Sequence, residues 1–276
     1  MIDNECIKYG DNELQSIRIY KRAKWSSKSV IFIHGGAWRD PSNTFDDFKI
    51  VAASMIEDGF EGLIFSINYR LSPEFKHPIH LIDILSAISF LQERFNISEM
   101  QLIGHSVGAS FILQLLSMST IVEDGISDLA LAQHGKNSQL PDATQLQILF
   151  DAVSKVKIGK LVLIDGIYDN EELLKEYGDL YRGFINDAFS SDKHYKNAFQ
   201  LSNPKFNSVF SFEVIPDHIY ILHSMDDELL SPKQTQLLLT FLKKTDLKYK
   251  VFFDHWGKHE EVYSNQKVAK LINSFL

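Results

Sequence analysis

Short apolar runs rich in β-branched and aromatic residues recur along the chain, at Ile17–Tyr20, Val30–Ile33, Leu63–Ile67, Met100–Ile103, Leu161–Ile164, Ile219–Leu222 and Tyr249–Phe253. Several are apolar throughout rather than alternating, the pattern of strands covered on both faces. Between them apolar residues return at helical spacing. Phe45, Phe48, Ala52, Met55 and Ile56 mark one helix, with Gly59 able to end it. Leu81, Leu85, Ile88, Leu91 and Phe95 mark a second. Ser231-Pro232 reads as an N-cap with proline at the first helical position, ahead of Leu238, Phe241 and Leu242. Val268, Leu271, Ile272 and Phe275 predict a closing helix. Alternating strands and helices predict an α/β fold with a mainly parallel sheet and helices on both faces.

Two stretches interrupt the alternation. Ser117–Leu140 is polar, and its second half is expected to be a mobile surface excursion. Asn170–Ser211 is helical and aromatic (Leu173, Tyr177, Tyr181, Phe184, Phe189, Phe199) and longer than a simple crossover. A small cap over the strand ends and extra packing on the outside are equal readings of it. No internal repeat or low-complexity linker divides the chain, so its 276 residues are expected to form one domain with a modest insertion at 170–211.

Composition narrows the classes. Hydrophobic residues make up 45% and charged residues 23%, which excludes a largely disordered chain. The net charge of −8 argues against nucleic acid or an anionic membrane as partner, since both call for clustered Lys and Arg. Cys6 is the sole cysteine, so no intrachain disulfide can form. The N-terminus has neither the basic nor the apolar region of a secretory signal, and no apolar run approaches the ~20 residues that span a bilayer. A cytoplasmic protein acting on a small molecule is expected, and a homodimer is compatible with this reading.

Gly104-His105-Ser106-Val107-Gly108 follows the strand Met100–Ile103 and precedes an apolar helix. G-x-S-x-G in that setting is a nucleophile elbow, whose tight turn needs small flanking residues and thrusts the serine out at the strand end. His34-Gly35-Gly36-Ala37-Trp38 follows the strand Val30–Ile33. Its paired glycines let backbone N–H groups approach a ligand. The expected oxyanion-hole donors are the amides of Gly36 and Ala37, with Val107 opposite. Trp38 reads equally as pocket wall and as scaffold.

A serine nucleophile needs a base, and the base an orienting acid. The strand Ile219–Leu222 ends in His223-Ser224-Met225-Asp226-Asp227-Glu228, and the strand Tyr249–Phe253 in Asp254-His255-Trp256-Gly257-Lys258-His259. Serine, acid and histidine thus appear in the order of α/β-hydrolases, each after a strand. His259 is preferred as base because Gly257 gives its loop reach, with His255 as the packing alternative. Asp227, four residues beyond His223, is preferred to Asp226, which falls one short. His34, His105 and His223 are expected to brace loops, and Asp165 and Asp254 to act as caps or loop anchors. The histidines lack H-E-x-x-H spacing and no phosphate-binding glycine loop follows a strand, so neither a metal nor a nucleotide cofactor is indicated.

With these residues in place, the chain resembles an α/β-hydrolase over nearly its whole length. Tyr69-Arg70-Leu71-Ser72-Pro73-Glu74, with Asp83 beyond, is similar to a segment of hormone-sensitive-lipase-like esterases. Those enzymes usually carry H-G-G-G, whereas H-G-G-x-W resembles the kynurenine formamidase family, most closely its fungal type. HGGAWRDP (34–41), YRLSPE (69–74), GHSVGASF (104–111), LVLIDGIY (161–168), HSMDDELL (223–230) and GKHEEVY (257–263) carry that resemblance in order and spacing. It covers residues 28–276, apart from 125–145.

The resemblance implies hydrolysis of N-formyl-L-kynurenine to L-kynurenine and formate, a step of tryptophan degradation that feeds NAD synthesis. It matches Ser106 to the nucleophile, Asp227 to the acid, His259 to the base, and the amides of Gly36 and Ala37 to the oxyanion donors. The adjacent Asp226 departs from the pattern and supplies a second candidate acid. Trp38, Tyr168 and the 170–211 insertion are candidate walls for the aromatic leaving group. The sequence places no arginine against its amino-acid end. A short-chain carboxylesterase is the alternative enzyme; a binding module would have no need of the serine–acid–histidine order.

Overall fold

The central strand β3 (Lys28–Ile33) shows how the sheet is buried. Ile31 and Ile33 belong to one apolar cluster, Val30 and Phe32 to another, and all four are fully inaccessible. This is the two-residue period of a strand with helices on both faces. Burying such a side chain contributes ~1.5–3 kcal/mol. The computed structural model describes residues 4–23, 26–132, 140–198, 201 and 212–276.

Eight strands form one sheet in the order β1-β2-β4-β3-β5-β6-β7-β8. They are β1 (Glu5–Lys8), β2 (Ser16–Lys21), β3, β4 (Leu63–Ile67), β5 (Glu99–His105), β6 (Lys157–Ile164), β7 (His218–Ser224) and β8 (Tyr249–Asp254). The pairings β1–β2 and β2–β4 are antiparallel; all others are parallel. The helices α1 (Lys49–Glu57) and α10 (Gln266–Asn273) cover one face, where Val51 and Met55 meet Val268 and Ile272. On the other face lie α2 (Ile79–Phe95), α3 (Val107–Gln114), α4 (Met118–Ala132), α5 (Ala143–Ser154) and α9 (Lys233–Leu242). This is the α/β-hydrolase fold.

The seven strands predicted from the apolar runs are present. β1 went unpredicted because Glu5, Cys6, Ile7 and Lys8 carry no apolar run and form a largely exposed edge. Two expectations are corrected. Most of Ser117–Leu140 is helix α4, held by the buried Ile121, Val122 and Leu129; the excursion expected of its second half falls partly on 133–139, outside the described residues. The helix after Ser231 begins at Lys233, with Pro232 just before it.

The helical run Val107–Leu131 is long and apolar enough to cross a membrane by length and composition, although Glu123, Asp124 and Asp128 interrupt its apolar sequence. However, 72% of its most apolar window is buried inside the fold, as a core helix requires. The insertion forms three helices, α6 (Asn170–Tyr177), α7 (Asp179–Ala188) and α8 (Asp192–Ala198). Phe199 and residues 202–211 lie outside the described residues.

Candidate active site

Ser106 sits between β5 and α3 with φ +54° and ψ −121°, a backbone conformation that L-residues rarely adopt. The turn is held because the Ser106 N–H donates to the Ile164 carbonyl on β6 at 2.9 Å. The flanking glycines are a steric requirement. A Cβ on Gly108 would run into the Ile33 carbonyl, and one on Gly104 would lie 2.6 Å from the backbone of Gly108. β5, α3 and the end of β3 therefore cross at a distance only glycine permits. The Val107 amide, in the first turn of α3, has no carbonyl one turn back within the helix to accept from it.

The H-G-G loop is shaped by three successive residues with positive φ, Gly36 (+92°), Ala37 (+46°) and Trp38 (+64°). Tyr69 positions it: its hydroxyl is shared between the carbonyls of His34 (3.0 Å) and Gly35 (2.8 Å), and its ring stacks on His34 at 4.4 Å. Among the described residues, none accepts a hydrogen bond from the amides of Gly36 or Ala37. Both residues line a cavity of about 430 Å³ together with Ser106 and His259. A pocket of that volume accommodates a small organic ligand.

His259 is 3% exposed, and its Nδ1 lies 2.7 Å from Asp227 Oδ2. Asp227 Oδ1 accepts from the amides of Leu229 and Leu230, each at 2.8 Å, which fixes the carboxylate on its loop. With Nδ1–H directed at Asp227, the Nε2 lone pair remains for a proton acceptor's role. Burial disfavours the imidazolium, but the hydrogen bond and charge of Asp227, with Asp165 and Glu260 behind it, outweigh burial and raise the pKa of His259.

The neighbouring candidates have different surroundings. Asp226 accepts from His255 Nδ1 at 2.6 Å, and both side chains are well exposed. His255 is therefore one half of a surface ion pair; the packing role expected of it is corrected. Asp165 is buried, lies 3.1 Å from His223 and accepts from the Ser224 amide at 2.8 Å, anchoring the loop that follows β7. Asp254 caps its own strand end by accepting from the His255 amide at 2.8 Å. His34 is buried, and its pKa is lowered to about 4 by that burial, against an opposing hydrogen bond to the Gly35 carbonyl. His105, also buried, packs its ring 4.5 Å from that of His259.

Two aromatic candidates lie behind the cavity and not on it. Trp38 is 1% exposed and packs its indole against Phe184 (5.9 Å) and Phe189 (5.3 Å). Tyr168 is fully buried under Gly166. The positive φ at Trp38 turns its side chain into the core, leaving Ala37 on the cavity surface. The aromatic wall comes instead from Tyr177 of α6 and Tyr181 and Phe184 of α7, with the two tyrosine rings stacked at 4.4 Å. The Tyr181 hydroxyl donates to the Leu229 carbonyl at 2.5 Å, tying α7 to the Asp227 loop.

Asp165, His223 and Asp227 form one cluster with metal-ligand spacing, and His105, His259 and Glu260 another. Most of these residues are engaged within the protein, although both ring nitrogens of the buried His105 have no hydrogen-bond partner among the described residues. Asp227 holds His259, Asp165 holds His223, and Glu260 accepts from Asn43 at 2.8 Å and Tyr263 at 2.7 Å.

The family model described as BD-FAE matches residues 16–156, which include both glycine loops. The kynurenine formamidase of Debaryomyces hansenii is 35% identical, over 98% of this chain and 99% of its own. Those of Scheffersomyces stipitis and Saccharomyces cerevisiae are each 36% identical, over 98% and 89% of this chain and 98% and 87% of their own. The chain belongs to the kynurenine formamidase family. Solved structures agree on the fold. Esterase B of Lactobacillus rhamnosis superposes with a TM-score of 0.66 at 14% identity, over 98% of this chain and 82% of its own. The Francisella virulence factor BioJ does so with 0.64 at 19%, over 99% and 84%.

Within this kynurenine formamidase family member, several pocket residues escaped the sequence reading, among them Asn43, Glu260 and the basic Arg39. Arg39 lines the cavity one position after the H-G-G-A-W segment. The segment itself was the available signal for Arg39, which closes the same turn as Gly36 and Ala37 while Trp38 between them points into the core.

Proposed function

We propose that this protein is a serine hydrolase that cleaves N-formyl-L-kynurenine to L-kynurenine and formate, with Ser106 as nucleophile, His259 as base and Asp227 as its orienting acid. The observation that carries the reading is one cavity lined by Ser106, His259 and the Gly36–Ala37 turn, in a chain similar over its full length to kynurenine formamidases. Ser106 Oγ attacks the formyl carbon while His259 Nε2 takes its proton. The oxyanion is held by the amides of Gly36, Ala37 and Val107, of which the first two have no protein acceptor among the described residues. The imidazolium, stabilised by Asp227, protonates the departing aniline nitrogen. Water activated by His259 then releases formate from the formyl ester.

The cavity suits such a substrate. Formyl is the smallest acyl group and needs little room beyond the oxyanion donors. The arylamine that leaves finds an apolar wall in Tyr177, Tyr181 and Phe184. The test compares kcat/KM for N-formyl-L-kynurenine with that for short-chain acyl nitrophenyl esters. The reading expects the formamide to be the better substrate. Esters favoured by orders of magnitude would make the protein a carboxylesterase that happens to accept formamides.

A further inference from the structure

Formylkynurenine carries an α-carboxylate and an α-ammonium, so its amino-acid end calls for charged partners near the mouth of the site. Among the described residues that line the cavity, Arg39 is the one lysine or arginine; the acidic residues there are Asp40, Glu228 and Glu260. The charge of Asp40 is satisfied locally, since its Oδ1 accepts from the Ser42 amide at 2.9 Å and the Ser42 hydroxyl at 2.7 Å.

The Arg39 guanidinium is held on one side only. Its Nη1 donates to Asp187 Oδ2 of α7 at 2.6 Å, and among the described residues none accepts from its Nε or Nη2. An ion pair through one nitrogen orients the planar group and leaves donors for a second carboxylate. The placement is also fixed along the chain. The Arg39 amide donates to the Gly36 carbonyl at 2.9 Å. Such a turn keeps the two Cα atoms within about 7 Å of each other. The same turn therefore presents the oxyanion donor and the guanidinium. Two other guanidinium groups in this part of the fold are engaged elsewhere: Arg70 forks onto Asp83, whose side chain is fully inaccessible, and Arg182 of α7 pairs with Asp179 and does not line the cavity.

We infer that Arg39 is the specificity-determining residue that binds the substrate's α-carboxylate, oriented for it by Asp187. The inference rests on the formamidase reading of the site. Glu228 and Glu260, lining the same cavity, complement the ammonium group of the same substrate.

The test is a two-by-two cycle. Wild type and Arg39→Gln are each assayed with N-formyl-L-kynurenine and with N-formylkynurenamine, the same arylformamide without the carboxylate. A charge-assisted pair of this kind corresponds to a change of roughly 10–100-fold. In wild type, removing the carboxylate is expected to lower kcat/KM by that factor, mainly through KM. In Arg39→Gln the two substrates are expected to be nearly equivalent. Arg39→Lys, which keeps the charge but loses the planar fork, is expected to recover part of the discrimination. The side chain of Arg39 is 45% exposed, so the variants should fold, and a thermal melt checks this. If Arg39→Gln discriminates between the substrates as wild type does, the inference is wrong while the formamidase reading stands. If wild type hydrolyses neither compound, both fall.

Discussion

Asp226 and Asp227 stand side by side after β7, and each faces a histidine, which makes their Asn variants a sharp test of the site. Asp227 divides its oxygens: Oδ1 accepts from the amides of Leu229 and Leu230, and Oδ2 accepts from His259 Nδ1. In Asp227→Asn the amide oxygen keeps the two backbone donors, so the NH2 must face His259. A donor opposite Nδ1 forces the proton onto Nε2, the wrong tautomer for accepting a proton from Ser106, and the imidazolium loses its counter-charge. Loss of the orienting acid in the serine-protease triad, from which this magnitude is borrowed, costs ~10⁴ in kcat, or about 5 kcal/mol of barrier. Asp226 meets an exposed His255, a pairing that solvent screens. Its Asn variant should stay within a few-fold of wild type. Steady-state kcat for formylkynurenine at neutral pH, with thermal melts to verify folding, should separate the two variants by at least ~100-fold. A dead Asp226→Asn beside a nearly normal Asp227→Asn would refute the reasoning, and equal partial losses would mean that both carboxylates serve.

Three further outcomes are expected. The acid limb of kcat/KM reports neutral His259; because Asp227 raises that pKa, activity should rise with pH through a midpoint above the ordinary ~6.5, and a midpoint below ~6 would contradict the pairing. Asp47, pushed up to about 6 by burial and linked through Asn43 to Glu260, adds a second ionisation to be separated by its own Asn variant. Gly108→Ala should lose ~1–3 kcal/mol in denaturant unfolding together with activity, since its Cβ meets the Ile33 carbonyl and backbone must shift. Trp38→Ala should lose ~3–5 kcal/mol by leaving a cavity against Phe184 and Phe189; unchanged stability would return Trp38 to the pocket surface.

What the sequence revealed divides along a physical line. Strands buried on both faces announce themselves as apolar runs, and the elbow does so because Gly104 and Gly108 are demanded by a backbone crossing. The order of Ser106, Asp227 and His259 was readable because Ser106 and Asp227 follow such strands and His259 follows β8, an edge strand that is only partly buried yet still apolar in sequence. Contacts between distant segments were not. Asp226 and His255 are 29 residues apart, and nothing local couples them. The direction of Trp38 depends on positive φ values that an Ala-Trp pair does not advertise. Helix α4 hid because Ile121, Val122 and Leu129 are diluted by Ser, Thr, Asp and Gly, so its apolar stripe is thin. Arg39 was overlooked because its meaning lies in Asp187, on a helix 148 residues later in the chain.

The account stands on Ser106 as the nucleophile. The most direct test is the turnover of N-formyl-L-kynurenine by Ser106→Ala beside wild type, with circular dichroism to confirm the fold. Loss on the order of 10⁶ in kcat is predicted, since removing a triad nucleophile leaves only binding and the oxyanion hole. Turnover by Ser106→Ala within tenfold of wild type (roughly 1.4 kcal/mol of barrier) would contradict the mechanism.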